Sequence, residues 1–154
     1  MAQTTGGMSA NEMYVALSAD GSTWTDVSGY ANAVQISGGE RQTGEVFTFD
    51  GNTPIVKYGK LGFLGVTISG VYTEEASKLY AMAKTAYEAG SALYARWSPG
   101  GGDSGDYLYT TSVGTVINPP YPGGSADTPD AILVEITMNV GSITQSTIPT
   151  GSTW

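Results

Sequence analysis

"GGERQTGEVFTFDGNTPIVKYGKLG", residues 38–62, holds two extended arms, "EVFTF" and "PIVKY", on either side of a polar turn at "DGNT". Apolar residues alternate along both arms as they do in strands, and Asp-Gly is a turn-forming pair, so the stretch predicts a long hairpin or an extended loop that projects from a body. Three of the six basic residues of the chain, Arg41, Lys57 and Lys60, lie within it. Polar connections longer than about 12–15 residues are uncommon inside a small domain and are usually functional.

Outward from this stretch the pattern is mostly strand. "MYVALS" (13–18) sets Met13, Val15 and Leu17 against Tyr14 and Ala16, as in a half-buried strand, and "ADGS" (19–22) turns the chain into a short strand around "TWTDV". "AVQIS" (33–37) leads into the projection and "LGVTISGVY" (64–72) leaves it. One helix is predicted, "TEEASKLYAMAKTAYEAG" (73–90), with Thr73 as N-cap, Glu74 and Glu75 in its first turn and Gly90 at its end. Its stripe of Ala76, Leu79, Tyr80, Ala83, Ala86 and Tyr87 faces a sheet. "SALYARW" (91–97), "YLYTTSVGTVI" (107–117) and "AILVEITMNV" (131–140) are further strands, separated by Gly- and Pro-rich loops. The fold class is therefore mainly β, a β-sandwich or partly closed barrel with one flanking α-helix. It occupies residues 12–140, between low-charge arms at 1–11 and 141–154.

Composition narrows the chemistry. The chain has 154 residues, enough for one domain with a real core, and no cysteine, which removes disulfides and thiolate chemistry. It has no histidine either, and so lacks the commonest general base and metal ligand. "GDSGD" (102–106) is like the surroundings of a nucleophilic serine, but Ser104 has no histidine to activate it. "GGGDSG" matches a dinucleotide-binding fingerprint only in letters, because a strand and not a helix follows. Asp103, Asp106, Asp127 and Asp130 read as solvated turn residues, with a weak ion site left open; no cofactor and no enzyme activity are expected. A net charge of −8 argues against sequence-reading nucleic-acid binding. The N-terminus lacks the pattern of a cleaved signal and no stretch is apolar enough to span a membrane, so the expectation is a protein made in a cytoplasm with no membrane partner.

Five segments, "SADGSTWTDVSGY" (18–30), "GGERQTGEVFTFDGNTPIVKYGK" (38–60), the helix at 73–90, "LYARWSPGG" (93–101) and "AILVEITMNV" (131–140), resemble in order and texture the major tail tube proteins of long-tailed bacteriophages. The resemblance implies a virion structural protein whose hexameric rings stack into a tube around a tape-measure protein. Tail terminator and baseplate or tail-tip proteins would be its other partners, and genomic DNA would pass through it in transit. It also implies that residues 1–11, 38–62 and 141–154 bridge subunits or rings.

On that basis the expected contacts between copies are Arg41, Glu45, Asp50, Lys57, Lys60, Asp103, Asp106 and Trp154, with the three bases facing acids such as Asp103, Asp106, Asp127 or Asp130 of a neighbour. Glu45 and Glu135 are the acids expected to face the lumen. Two other classes compete: a capsid decoration protein forming closed trimers, and a carbohydrate-binding β-sandwich that would show Tyr107, Tyr109 and Tyr121 to sugar.

Overall fold

The computed structural model describes residues 8, 10–127 and 130–152. Eleven strands and one helix follow in order: β1 (Tyr14–Ser18), β2 (Thr25–Asp26), β3 (Ala31–Gly38), β4 (Arg41–Val46), β5 (Ile55–Leu61), β6 (Leu64–Val71), α1 (Leu79–Ala89), β7 (Ala92–Ser98), β8 (Tyr107–Thr111), β9 (Gly114–Val116), β10 (Leu133–Val140) and β11 (Ile143–Thr147). Every strand pair is antiparallel.

Two layers form because two stretches of chain pass from one layer into the other. In the first layer β3, β6, β10 and β9 are neighbours; in the second β2, β1, β7, β8 and β11 are neighbours. The partners β8–β9 and β10–β11 keep one register through the bend, with Met138 opposite Val116 on one side and Ile143 opposite Thr111 on the other. Hydroxyls supplement the ladder at the corner, where the Ser112 N–H still donates to the Ser142 carbonyl at 2.9 Å. Thr111 Oγ1 accepts the Ala95 N–H at 3.0 Å, and Ser112 Oγ accepts the N–H groups of Gly141 and Ser142. Strand β7 belongs to both layers, pairing with β9 at Ala92 and Leu93 and with β8 at Arg96 and Trp97.

Alternation along the strands fills the space between the layers. Val66 and Ile68 of β6 and Val134, Ile136, Met138 and Val140 of β10 meet Val15, Leu17, Leu93, Ala95 and Trp97, and α1 adds Leu79, Ala83 and Ala86. At roughly 1.5–3 kcal/mol for each large side chain taken out of water, this cluster holds the body together.

Three expectations need correction. All five residues of β1 are buried, not every second one. Its second face is covered by Arg96, whose guanidinium donates to the Tyr14 hydroxyl at 3.1 Å and lies 4.5 Å from the Trp24 ring. The helix starts at Leu79 rather than after Thr73, with Lys78 at the N-cap position and no side-chain cap. Glu74 and Glu75 instead accept hydrogen bonds from the Tyr72 and Tyr30 hydroxyls, which hold the preceding segment in an irregular path. The C-terminal end is as expected: Gly90 and Ser91 donate to the carbonyls of Tyr87 and Ala86. Finally, the segment read as a C-terminal arm is a paired strand at 143–147, followed by a buried Ile148. Most of the N-terminal arm and Trp154 fall outside the described residues.

Candidate functional site

The stretch at 38–62 is a hairpin, and it continues the β3–β6 pair. Gly38 opposite Leu64 and Arg41 opposite Leu61 share one register, so β3–β4 and β5–β6 are two halves of a single long ribbon. The ribbon changes character at Gly38 and Gly39. Both have positive φ, +72° and +74°, a region that residues with a Cβ rarely adopt, and a Cβ on Gly38 would stand 2.8 Å from the Phe63 carbonyl oxygen. Beyond this kink the ladder of β4–β5 has no further strand beside it among the described residues.

Every residue of β4 and β5 is exposed. The side chains are not those of a solvated loop: Val46, Phe47, Phe49, Ile55, Val56, Tyr58, Leu61 and Phe63 are eight of the seventeen exposed large apolar residues among the described residues. Cross-strand partners Val46–Ile55 lie on one face and Val56 and Tyr58 lie on the other, so both faces are apolar. All three phenylalanines of the chain, Phe47, Phe49 and Phe63, stand 63–112% exposed. A two-stranded hairpin alone is marginal in water, and an apolar one is a surface that needs a partner.

Arg41, Lys57 and Lys60 stand on the same ribbon, as do Glu45 and Asp50. Arg41 donates to the Gly59 carbonyl at 3.4 Å, within its own hairpin. Residues 38–62 carry three bases and three acids, so the remaining three bases and eleven acids leave the whole charge of −8 on the body. Among the body acids, Asp103 is exposed and Asp106 is committed to its own turn, where its carboxylate accepts the Asp103 N–H at 3.1 Å. Asp127 and Asp130 are exposed in the loop before β10. The structure therefore separates the expected contact residues into a ribbon set and a body set. The apolar residues of the ribbon were the part of the site that charge counting missed, although three phenylalanines within 17 residues were the available signal.

The outer face of the first layer is a second distinctive surface. Register aligns Ala33–Ser69–Glu135, Gln35–Thr67–Thr137 and Ser37–Gly65–Asn139 into rows across three strands. Thr67 and Thr137 share a 3.1 Å hydroxyl contact, and Asn118 extends the edge of β10 by accepting the Thr137 N–H at 2.7 Å and donating to the Glu135 carbonyl. In these rows Glu135 is the single charged residue. Glu45 is on the ribbon, opposite Val56. Among the described residues the outer edge of β3 is unpaired, and so is the outer edge of β11.

A groove between the β1–β2 turn and α1, lined by Asp20, Thr23, Ser77, Met82, Thr85 and Ser91, offers little chemistry. Its carboxylate, Asp20, accepts the N–H groups of Thr23 and Ser22 and the Ser18 hydroxyl, which hold it well below the usual carboxylate range. A carboxylate held ionised in this way is a turn-former and a poor base. Among the described residues no three Asp or Glu converge as metal ligands, and no helix is long and apolar enough to cross a membrane. Tyr109 is partly buried and stacks on the buried Trp97 at 5.8 Å, which takes it out of the tyrosines considered for sugar binding.

No protein-family model matches the sequence, and no curated protein is similar to it. Solved structures do share its fold. The SPP1 tail tube aligns with TM-score 0.70 at 11% identity, over 93% of this chain and 81% of that one. A chain of the anti-feeding prophage baseplate aligns with TM-score 0.70 at 8% identity, over 95% and 99%. A chain from the tail of an empty gene transfer agent particle, determined with C6 symmetry, aligns with TM-score 0.65 at 12% identity, over 92% and 98%. The fold is that of tail tube proteins, with β-sandwich layers, one helix and an open, antiparallel sheet.

Proposed function

We propose that this chain is a phage tail tube subunit, which assembles as hexameric rings stacked into the conduit for DNA ejection. The observation that carries the reading is the ribbon: the protein leaves all three of its phenylalanines in solvent, Phe47 and Phe49 on a projecting hairpin and Phe63 at its base, while its own core is complete without them. Phenylalanines placed so are stabilising only when a neighbour covers them, at roughly 1.5–3 kcal/mol for each ring buried. The likeness to tube subunits of phage, gene transfer agent and contractile injection systems supports the same reading.

Ring formation follows from the bare edge of β3. Pairing it with the first layer of the next subunit removes an edge that otherwise invites aggregation, and six such joints close a barrel. Its inner surface is then the face of Ser, Thr, Gln and Asn rows with Glu135 as its charge. Such a wall offers phosphates hydrogen-bonding groups but no cation, so DNA releases no counterions by adhering to it. Before ejection the lumen holds the tape-measure protein, and the tube ends meet terminator and baseplate or tail-tip proteins. The subunit is made in the host cytoplasm and functions in the virion tail.

Negative-stain electron microscopy of concentrated protein, with rotational averaging of end views, tests this. Hollow tubes of uniform width with six-fold end views are the expected result. Closed particles or trimers would replace it with a capsid decoration role, and a monomer that stays monomeric with a tail-tip nucleus present would refute it.

A further inference from the structure

We propose that Asp50–Gly51, in the turn of the hairpin, is a site of self-modification, where the folded chain converts aspartate into an isoaspartyl linkage without an enzyme. The sequence holds two Asp-Gly pairs, Asp20–Gly21 and Asp50–Gly51. Glycine carries no Cβ to shield its nitrogen, so that nitrogen can reach the carboxyl carbon of the aspartate before it. The Gly51 nitrogen bonds to Asp50 Cγ, and the carboxyl oxygen and the amide proton leave as one water. Water then opens the resulting succinimide. Opening at Cγ restores aspartate, whereas opening at the former backbone carbonyl leaves the chain running through Cβ. The net change is an isomerisation that needs no oxidant or co-reactant. It adds one backbone atom to the turn and turns the former main-chain carbonyl into a free carboxylate beside Phe49.

The structure protects one pair and leaves the other open. At Asp20 both reacting groups are tied down. One carboxylate oxygen accepts the N–H groups of Thr23 and Ser22 at 2.7 and 2.8 Å and the Ser18 hydroxyl at 2.9 Å. The Gly21 N–H donates to the same Ser18 oxygen at 2.9 Å, and Gly21 itself, at φ +75°, lies against the Tyr94 ring. Ring closure also needs the neutral carboxyl, because only that form releases water, and the two backbone donors and Ser18 keep Asp20 ionised. Asp50 is exposed, and among the described residues no hydrogen bond fixes its carboxylate. The Gly51 N–H makes a single longer bond, to the Thr48 carbonyl at 3.2 Å. The atoms nearest Gly51 are Thr48 Oγ1 and the Thr53 carbonyl oxygen, both within the same turn, so the turn can rearrange without breaking a contact to the body. Strand pairing resumes only at Val46 opposite Ile55.

The full-length chain is aged at mildly acidic pH in water enriched in heavy oxygen, in one sample folded and in another unfolded by urea, and is then cleaved after Lys and Arg. Asp50 falls in the peptide 42–57 and Asp20 in the peptide 1–41. Each ring opening leaves one water oxygen in its peptide, and backbone fragmentation distinguishes isoaspartate from aspartate and locates it. In the folded chain isoaspartate at Asp50 is expected to form at least about ten-fold faster than at Asp20, and in urea the two rates should converge, because the turns and not the dipeptides make the difference. Gly51→Val should slow the reaction at Asp50 about ten-fold, since a branched side chain beside the nitrogen crowds ring closure and its Cβ stands 3.0 Å from Thr48 Oγ1. Absence of isoaspartate at Asp50, equal rates at both pairs in the folded chain, or a difference that persists in urea would overturn the assignment.

Discussion

The β3–β6 pair and the β4–β5 pair are two halves of one antiparallel ribbon, interrupted by a one-residue register shift between Arg41 and Thr43, yet they have opposite fates. On β6, Val66 and Ile68 are fully buried under a second layer; on β4 and β5, Val46, Ile55 and Val56 are exposed on both faces. Local structure is the same in both halves, so the difference lies in what covers them. The body supplies its own second layer through β1, β7 and α1, whereas the ribbon finds none among the described residues. A strand's pattern thus tells where a side chain points, and the partner that buries it need not belong to the same molecule.

The contrast is broken most strongly by damage to the body. Ile136→Ala removes a fully buried side chain and should cost about 2–5 kcal/mol in denaturant unfolding, with tube formation lost as a consequence. Phe49→Ser should leave the unfolding free energy within about 0.5 kcal/mol and still abolish or strongly weaken tubes in light scattering. Equal destabilisation by both would mean that the ribbon packs on its own body.

At the junction, Gly38→Ala forces a Cβ into left-handed backbone against the Phe63 carbonyl. We expect a loss of about 1–3 kcal/mol, with hydrogen exchange in β4–β5 rising more than in β10. Reversing charge on the stem, Arg41→Glu with Lys57→Glu, should leave monomer stability unchanged and alter the salt dependence of assembly by roughly 0–1 kcal/mol per pair. Unchanged salt dependence would leave the apolar tip as the whole of the contact.

The smallest effect sharpens the comparison from the other side, because the "ADGS" loop is polar and satisfied internally. Asp20 is held ionised by the Thr23 N–H first, then Ser22 and Ser18, so its folded pKa lies below its unfolded value. Its contribution is present above the ordinary aspartate pKa of about 3.9 and is lost as pH falls below it. Asp20→Asn should therefore flatten the acid limb of a thermal midpoint measured from pH 7 down to pH 2.

Much of this was legible in the sequence, for physical reasons. The sequence at 131–140 alternates strictly, and the strand that forms at 133–140 puts Val134 and Ile136 inward and Glu135 outward. The hairpin at 38–62 announced itself by two alternating arms around Asp-Gly. Strand β1 was misread because burial of its second face depends on Arg96 and Trp24, which are distant in sequence. The early helix start was misread because the Glu74 and Glu75 that favour an N-terminus bond tyrosines instead. Strand β11 is Thr- and Ser-rich, a composition shared by flexible arms, and only its register with β8 distinguishes the two. In the site, charges drew attention to Arg41, Lys57 and Lys60, whereas the exposure of Phe47, Phe49 and Phe63 required a structure in which the core was already full.

Cryo-electron microscopy of the assembled full-length chain, resolved far enough to trace β4–β5, tests the central claim most directly. The account predicts a six-fold tube in which the ribbon of each subunit lies buried against the next ring, with Phe47 and Phe49 out of solvent. A closed particle, or a tube whose ribbons remain in solvent or fold back on their own bodies, would contradict it.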